Sequence, residues 1–278
     1  MIQNSYDNSP SLYLIPTPIG NLEDITYRAV KVLEEVEVIF SEDTRVTLNL
    51  LNNFGIKKKL ISLHDHNEDI LKEKVLEYLK NGKSVGLVTD RGTPIISDPG
   101  YKTVKYISDN NYNVIAIPGA TAFVPALISS GISSQPFLFY GFLNSKDSKR
   151  RDELEMLKDN EYTMIFYEAP HRILKTLNMM LEIFGNRDIS ISREITKKFE
   201  TIYRGKINDL IANIPEKGEF VIVVSGCGDK NIDFSISIKD AVNLYINAGL
   251  DVMSSIKKVA KERNVPKNEI YKEYHKED

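Results

Sequence analysis

From residue 12 onward, short runs of apolar, β-branched and aromatic residues alternate with stretches in which apolar positions return every three or four residues. The runs at residues 12–16, 36–40, 58–63, 84–90 and 112–118 read as strands, with helical periods between them such as 26–36. Parallel strands need crossover connections, so this rhythm predicts an α/β domain with a mostly parallel sheet covered on both faces, residues 11–130. The Ser-, Gly- and Pro-rich stretch 129–136 breaks the rhythm and marks a boundary. Strand-like runs then follow at 137–143, 162–168, 188–194, 199–205 and 218–226, with one long helical period at 172–184. Consecutive strands with few helices between them predict a mixed, partly antiparallel sheet, so residues 135–230 read as an α+β domain. The remainder, 235–278, is helical throughout, in three short segments separated by turns. Helices this short bury little alone, so the tail is expected to pack on the body or to await a partner.

Composition narrows the class without naming a function. The 278 residues exceed the usual single-domain size, and the apolar and charged fractions, 42% and 27%, are those of a globular protein. No stretch approaches the roughly 18 apolar residues of a membrane span, and residues 1–10 lack the basic start and apolar centre of a secretory signal, so a soluble, cytoplasmic protein is expected. The single cysteine, Cys227, rules out an internal disulfide, and four scattered histidines make no zinc pattern, so no metal is expected. The net charge of -3 gives no global attraction to nucleic acid, so an RNA partner must be held by local patches.

Ligands of an open parallel sheet gather beyond the carboxyl ends of its strands, which directs attention to the loops there. Residues 16–21, PTPIGN, form a rigid turn and lack the glycine patterns of dinucleotide and triphosphate loops; an ordinary Pro-Gly turn reads equally well. Asp90 stands where the fourth strand stops, followed by Gly92, Thr93 and Pro94, and its carboxylate is free to meet a ligand. Asp98 followed by Pro99 has the form of a helix start, with the aspartate as N-cap. After the fifth strand, Gly119 and Ala120 precede a helix expected near Thr121, and small residues at two strand ends leave a flat slot for a planar ring.

The segments LYLIPTPIGNLEDITYRAVKVL, SEDTRVTLNLL, HDHNE, DRGTPIISDPGY, IPGATA, FYEAPHR and SREITKKFETIYRG, taken in order across residues 12–226, resemble the ribosomal RNA small subunit methyltransferase I family. The resemblance implies the two-domain tetrapyrrole methylase fold, S-adenosylmethionine held between the domains, transfer to the 2'-hydroxyl of a cytidine in the decoding region of 16S rRNA, and a homodimer. It implies a cofactor site floored by Pro16, Thr17, Pro18 and Gly20, with Asp90, Gly92, Thr93 and Pro94 as one wall and Gly119, Ala120 and Thr121 as another. Tyr167 and Phe220 would close on the adenine, although by residue type both also read as core aromatics. Arg91 departs from the family pattern, which has a small residue there; a cation beside a sulfonium is repelled unless it points to solvent or pairs with an acid.

Methyl transfer to a hydroxyl rests on alignment and exclusion of water, and a positioned base adds roughly 10²- to 10⁴-fold. Glu42 and Asp43 are the candidate bases and Arg45 a phosphate grip, with the alternative that Asp43 or Thr44 caps a helix starting near Val46 and Arg45 is a surface ion pair. His64 and His66 lie on one side of an extended segment and are candidates to line the substrate cleft. His171 and Arg172 fall in the first turn of a helix begun by Pro170, where anions are favoured. Lys146, Lys149, Arg150 and Arg151 occupy a flexible segment suited to phosphate, and Lys197, Lys198 and Arg204 form a second basic set; either reads alternatively as a solvated face. In the tail, Lys257, Lys258, Lys261 and Arg263 crowd one helix whose apolar stripe is Val252, Ile256, Val259 and Ala260. Two rival readings remain at this point: a corrin or porphyrin methyltransferase of the same fold, and a noncatalytic RNA-binding protein of ribosome assembly.

Overall fold

The computed structural model describes residues 2–5, 7–227, 236–247, 249–263 and 265–276. The expected boundary between residues 230 and 235 and the side chain of Lys261 lie outside the described residues.

The first sheet contains β1 (Ser11–Leu14), β2 (Val38–Ser41), β3 (Lys59–Ser62), β4 (Val85–Val88) and β5 (Asn113–Ala116), all parallel, in the order β3-β2-β4-β1-β5. Side chains alternate between its faces, and both are covered, which is why β2 and β4 are apolar almost throughout. Val38, Phe40, Val85 and Leu87 pack with α3 (Glu68–Lys80) and α4 (Tyr101–Asp109) on one face. On the other, Ile39 and Val88 meet α1 (Tyr27–Glu35) and α2 (Thr44–Asn53). The Thr26 hydroxyl caps α1 by accepting the Ala29 N–H at 3.1 Å. The connection leaving β1 runs over one face to β2, and that leaving β4 runs over the other to β5. The chain therefore diverges beyond the carboxyl ends of β1 and β4, which opens a crevice between their loops.

The second sheet contains β6 (Phe137–Phe142), β7 (Thr163–Glu168), β8 (Asp188–Arg193), β9 (Thr201–Lys206) and β10 (Phe220–Val224) in the order β6-β7-β10-β8-β9. Only β6 and β7 are parallel; the other neighbours are antiparallel, as expected of a mixed sheet. One face packs on α6 (Asp147–Leu157), α7 (Ile173–Phe184) and α8 (Ile207–Leu210). The other face receives Ala126 and Leu127 of α5 (Phe123–Ser129) against Ile165, Val221 and Val223. Thus α5, assigned by sequence to the first domain, is roofing for the second sheet. Both sheets belong to one compact unit, Met1–Lys158 with Tyr162–Ser225.

A second unit, Asp159–Glu161 with Gly226–Asp278, holds α9 (Ile238–Asn247), α10 (Val252–Arg263) and α11 (Lys267–Tyr274). These helices enclose a small apolar centre of their own, including Val242, Ile256, Val259 and Ile270. The expectation that they bury little alone is corrected in that respect, and Val252 of the expected stripe is exposed. Among the described residues no helix is long and apolar enough to cross a membrane.

Candidate functional site

Backbone strain gathers in the loop after β4. Ile95 (φ 74°) and Ser97 (φ 68°) both lie in the left-handed region, which a β-branched residue adopts only when its surroundings impose it, at a cost of order 1–3 kcal/mol. The surroundings do so. Thr17 and Gly92 exchange backbone hydrogen bonds of 2.9 and 3.0 Å, which ties the β1 and β4 loops together. The Thr93 hydroxyl donates to the Ala120 carbonyl at 2.9 Å, which ties the β4 loop to the one after β5. Gly119 lies against the Pro16 ring so closely that a Cβ there would stand 2.4 Å from the Pro16 Cβ. Gly100, at φ 124°, is the N-cap of α4, so Asp98 does not cap that helix as its Asp-Pro spacing suggested. The strained turn leaves Asp98 lining a cavity instead.

That cavity has a volume of about 360 Å³. The β4 loop contributes Gly92, Thr93, Ile96 and Asp98, the start of α5 adds Thr121 and Ala122, and the second sheet and its loops add Phe142, Tyr167, Ile195 and Phe220. The Tyr167 ring packs edge-on against Phe139 and Phe142, and burial pushes its hydroxyl up to about 12. Of the expected cofactor residues, Gly92, Thr93, Thr121, Tyr167 and Phe220 meet here. Thr17, Pro18, Gly20 and Asp90 line a separate, smaller cavity of about 220 Å³ against α2, and Arg91 borders both. Pro16, Pro94, Gly119 and Ala120 line neither; Pro16 and Gly119 pack on each other, and Ala120 offers its carbonyl to Thr93.

Carboxylates crowd the strand ends: Asp98 lines the larger cavity, Asp90 the smaller, and Glu42 and Asp43 neither. Burial pushes Asp98 up to about 7, helped by the negative charges of Glu42, Asp90 and Asp65. Glu42 is also raised, by burial first and then by Asp90. The Asp90 carboxylate accepts the Asp43 N–H at 3.0 Å, which links the ends of β4 and β2. Asp43 itself caps α2 by accepting the Arg45 N–H at 2.8 Å, and its other oxygen takes the Arg45 guanidinium at 2.6 Å. Those bonds pull its carboxyl down to about 2. Asp43 and Arg45 therefore satisfy one another, and Glu42 stands apart as the more basic carboxylate.

Arg91 pairs with Glu219, and Lys197 joins Glu219 (2.8 Å) to Glu194 (3.1 Å), so the unexpected cation is neutralised by an acid from the second sheet. Several expected phosphate ligands are likewise committed within the fold. Arg150 is fully buried beside Asp147, which corrects its assignment to a flexible RNA-binding segment; residues from Asp147 onward are helix α6. Arg172 is held by the buried Glu168 at 2.6 Å, and α7 starts at Ile173, so neither Arg172 nor the exposed His171 lies in its first turn. Arg151 makes two 2.7 Å bonds to Glu182, and Arg204 donates to the Ser129 carbonyl. Lys146, Lys149 and Lys198 are exposed and hold no ion pair among the described residues. His64 and His66 lie on a turn rather than an extended segment, with ring centroids 5.9 Å apart, and His64 contacts the Asn67 amide. In the tail, Lys257 is exposed, Lys258 sits 4.8 Å from the Tyr245 ring centroid, and Arg263 donates to the Ile236 carbonyl at 2.7 Å.

A parallel sheet with a crevice at its switch point, joined to a mixed sheet, is also the arrangement of a known enzyme class, and residues 11–211 match the family model Tetrapyrrole (Corrin/Porphyrin) Methylases. Among solved structures, the cobalt precorrin-4 methyltransferase CbiF aligns with a TM-score of 0.58 at 16% identity, covering 77% of this chain and 94% of that one. The methyltransferase CobJ aligns at 0.59 and 17%, covering 78% and 95%. These likenesses concern the fold. Sequence relatives are closer: Ribosomal RNA small subunit methyltransferase I of Bacillus subtilis is 46% identical over 95% of this chain and 94% of its own length. Its namesake from Halalkalibacterium halodurans is 44% identical over 99% of each. The chain belongs to the tetrapyrrole methylase family and, within it, to the ribosomal RNA small subunit methyltransferase I family.

Proposed function

We propose that the protein transfers a methyl group from S-adenosylmethionine to the ribose 2'-hydroxyl of a cytidine in the decoding region of 16S rRNA. The observation that carries this reading is the larger cavity beyond β1 and β4, into which a strained loop presents Asp98. Its chemistry suits the cofactor. Asp98, when ionised, supplies negative charge for a sulfonium, Gly92, Ala122 and Ala169 leave room, and Tyr167 and Ile195 offer apolar surface to a ring. Its volume, about 360 Å³, falls in the roughly 300–1,000 Å³ range of small-molecule sites.

When bound, the cofactor supplies an electrophilic methyl group. The chain's part is to align the acceptor, exclude water and take a proton. Glu42 accepts the 2'-hydroxyl proton: its raised proton affinity brings it nearer to neutral pH than an ordinary carboxylate, as a general base requires. Asp90 holds the turn that carries Glu42 by accepting the adjacent Asp43 N–H. Asp43, tied to Arg45 and pulled down to about 2, serves the helix. Of the expected phosphate ligands, Lys146, Lys149 and Lys198, which hold no ion pair among the described residues, meet RNA phosphates alongside exposed His66 and His171. The helical tail recruits RNA through Lys257 and Lys258, and the protein acts in the cytoplasm as a homodimer.

The test is to incubate the protein with isotopically labelled S-adenosylmethionine and small ribosomal subunits that lack native methylation, and to analyse nucleosides by mass spectrometry. Labelled 2'-O-methylcytidine is expected. Demonstrated cofactor binding with no labelled nucleoside in subunits or naked rRNA rejects the reading and directs the search to tetrapyrrole acceptors.

A further inference from the structure

The loop between β8 and β9, residues 194–200, is pinned nearly everywhere except at its tip. Glu194 (φ 53°) and Thr196 (φ 65°) hold left-handed backbone, which for a β-branched threonine requires outside constraint. Those constraints come from both sheets. The Glu194 carboxylate accepts the Glu219 N–H at 2.9 Å and the Lys197 ammonium at 3.1 Å, and Lys197 donates also to Glu219 at 2.8 Å. The methylene stem of Lys197 lies over Gly20, where a Cβ would stand 2.4 Å from its Cγ. The Thr196 hydroxyl donates to Asp24, its N–H donates to the Glu200 carboxylate, and Ile195 lines the larger cavity. Two side chains are left over at the tip. Phe199 is 67% exposed, and the Lys198 ammonium lies 5.8 Å from its ring centroid with no acidic partner among the described residues.

We propose that Phe199 is a stacking platform for an unpaired base of the RNA substrate adjacent to the acceptor nucleotide, with Lys198 neutralising a phosphate of the same strand. This rests on the rRNA reading above and deepens it by assigning a substrate-binding contact. Sequence-tolerant and sequence-specific RNA binding both rely on bases splayed onto aromatic rings beside a cation that follows the backbone. A ring presented by a constrained loop loses little freedom when a base stacks on it. The loop borders the cavity through Ile195, so the base it meets is a neighbour of the reacting ribose. An exposed ring beside a free lysine also suits RNA better than a second copy of the chain, because protein interfaces are depleted in lysine.

The probe is a fluorescein-labelled single-stranded oligoribonucleotide with the decoding-region sequence, titrated by anisotropy without cofactor against the full chain and its Phe199→Ala, Phe199→Trp and Lys198→Ala variants. Phe199→Ala is expected to weaken RNA binding roughly 5- to 150-fold, the loss of one base stack. Phe199→Trp is expected to restore it, and affinity for S-adenosylmethionine should not move. Lys198→Ala should reduce the slope of log affinity against log salt by about 0.7 to 1, one phosphate's share. Wild-type affinity in Phe199→Ala overturns the inference, as does a variant whose only change, by sedimentation, is a weakened dimer. Either result in a protein that still methylates subunits removes the platform alone; a wild-type chain that methylates no RNA removes the reading beneath it.

Discussion

Titrating cofactor affinity between pH 6 and pH 8 probes the carboxyl of Asp98. Burial, then the charges of Glu42, Asp90 and Asp65, push this group up to about 7 from an ordinary 3.8. The sulfonium of S-adenosylmethionine carries a positive charge at every relevant pH, so the ionised form of Asp98 attracts it and the protonated form does not. With a pKa near 7 the ionised fraction is about 9% at pH 6 and about 91% at pH 8, so affinity that depends on it rises roughly ten-fold across the interval. Below pH 7, binding should therefore release a proton, which calorimetry in two buffers of different ionisation enthalpy detects. Asp98→Asn should flatten both the affinity profile and the proton release. S-adenosylhomocysteine, whose sulfur is neutral, should show a shallower profile with the parent protein. The same shift acts on folding with the opposite sense in pH. Between about 4 and 7 the folded chain holds a proton that the unfolded chain has released, so this group's contribution to stability falls as pH rises through that window and is level above it. An Asp98→Asn protein that keeps the parent's pH profile for S-adenosylmethionine would refute the assignment of the charge to this residue.

Three other perturbations have defined outcomes. Glu42→Gln should lower kcat by roughly 10²- to 10⁴-fold with little change in cofactor Kd, whereas Asp43→Asn should leave kcat within a few-fold and lower Tm slightly through loss of its cap; equal rate losses in the two would contradict the division between them. Glu168→Ala strands the guanidinium of Arg172, 14% exposed, and should cost about 3–5 kcal/mol in urea-monitored stability, more than Glu182→Ala at the exposed pair with Arg151. Gly119→Ala forces a methyl against the Pro16 ring, which has no rotamer to retreat to; a loss of about 1–3 kcal/mol and a raised cofactor Kd are expected, and parental stability would mean that the two loops separate freely.

The strands and their arrangement in two sheets were legible because most are runs of apolar residues long enough to be buried on one or both faces, as in the fully buried VIFS of β2 and FVIVV of β10. The destination of α5 was not, since six apolar residues among its seven state that a helix is partly buried without stating against which sheet. Asp98 was misread for a related reason. Its Asp-Pro pair is a local signal for a helix start, and it was overridden by a turn through Ile95, Ser97 and Gly100 that only packing against neighbouring loops sustains. Charge was the least legible property. The basic residues of 146–151 were visible as a count, but not that acids hold two of the four: Glu182 on α7 for Arg151, and Asp147 at the start of their own helix for Arg150.

Arg91 carries this reasoning to the cavity itself. Taken alone, a guanidinium one residue after Asp90 opposes a cationic cofactor, and among the described residues neither Asp90 nor Asp98 of the same loop forms an ion pair with it. The acid that pairs with it is Glu219, 128 residues further along the chain and just before β10, the central strand of the other sheet, and that acid is shared with Lys197, whose stem packs on Gly20. The neutralisation is therefore a property of how the two sheets' loops meet. The same contacts that fix the charge beside the cavity also tie the β8–β9 loop to the PTPIGN turn. A change at any of these positions acts on the electrostatics of the site and on the loop that borders it together.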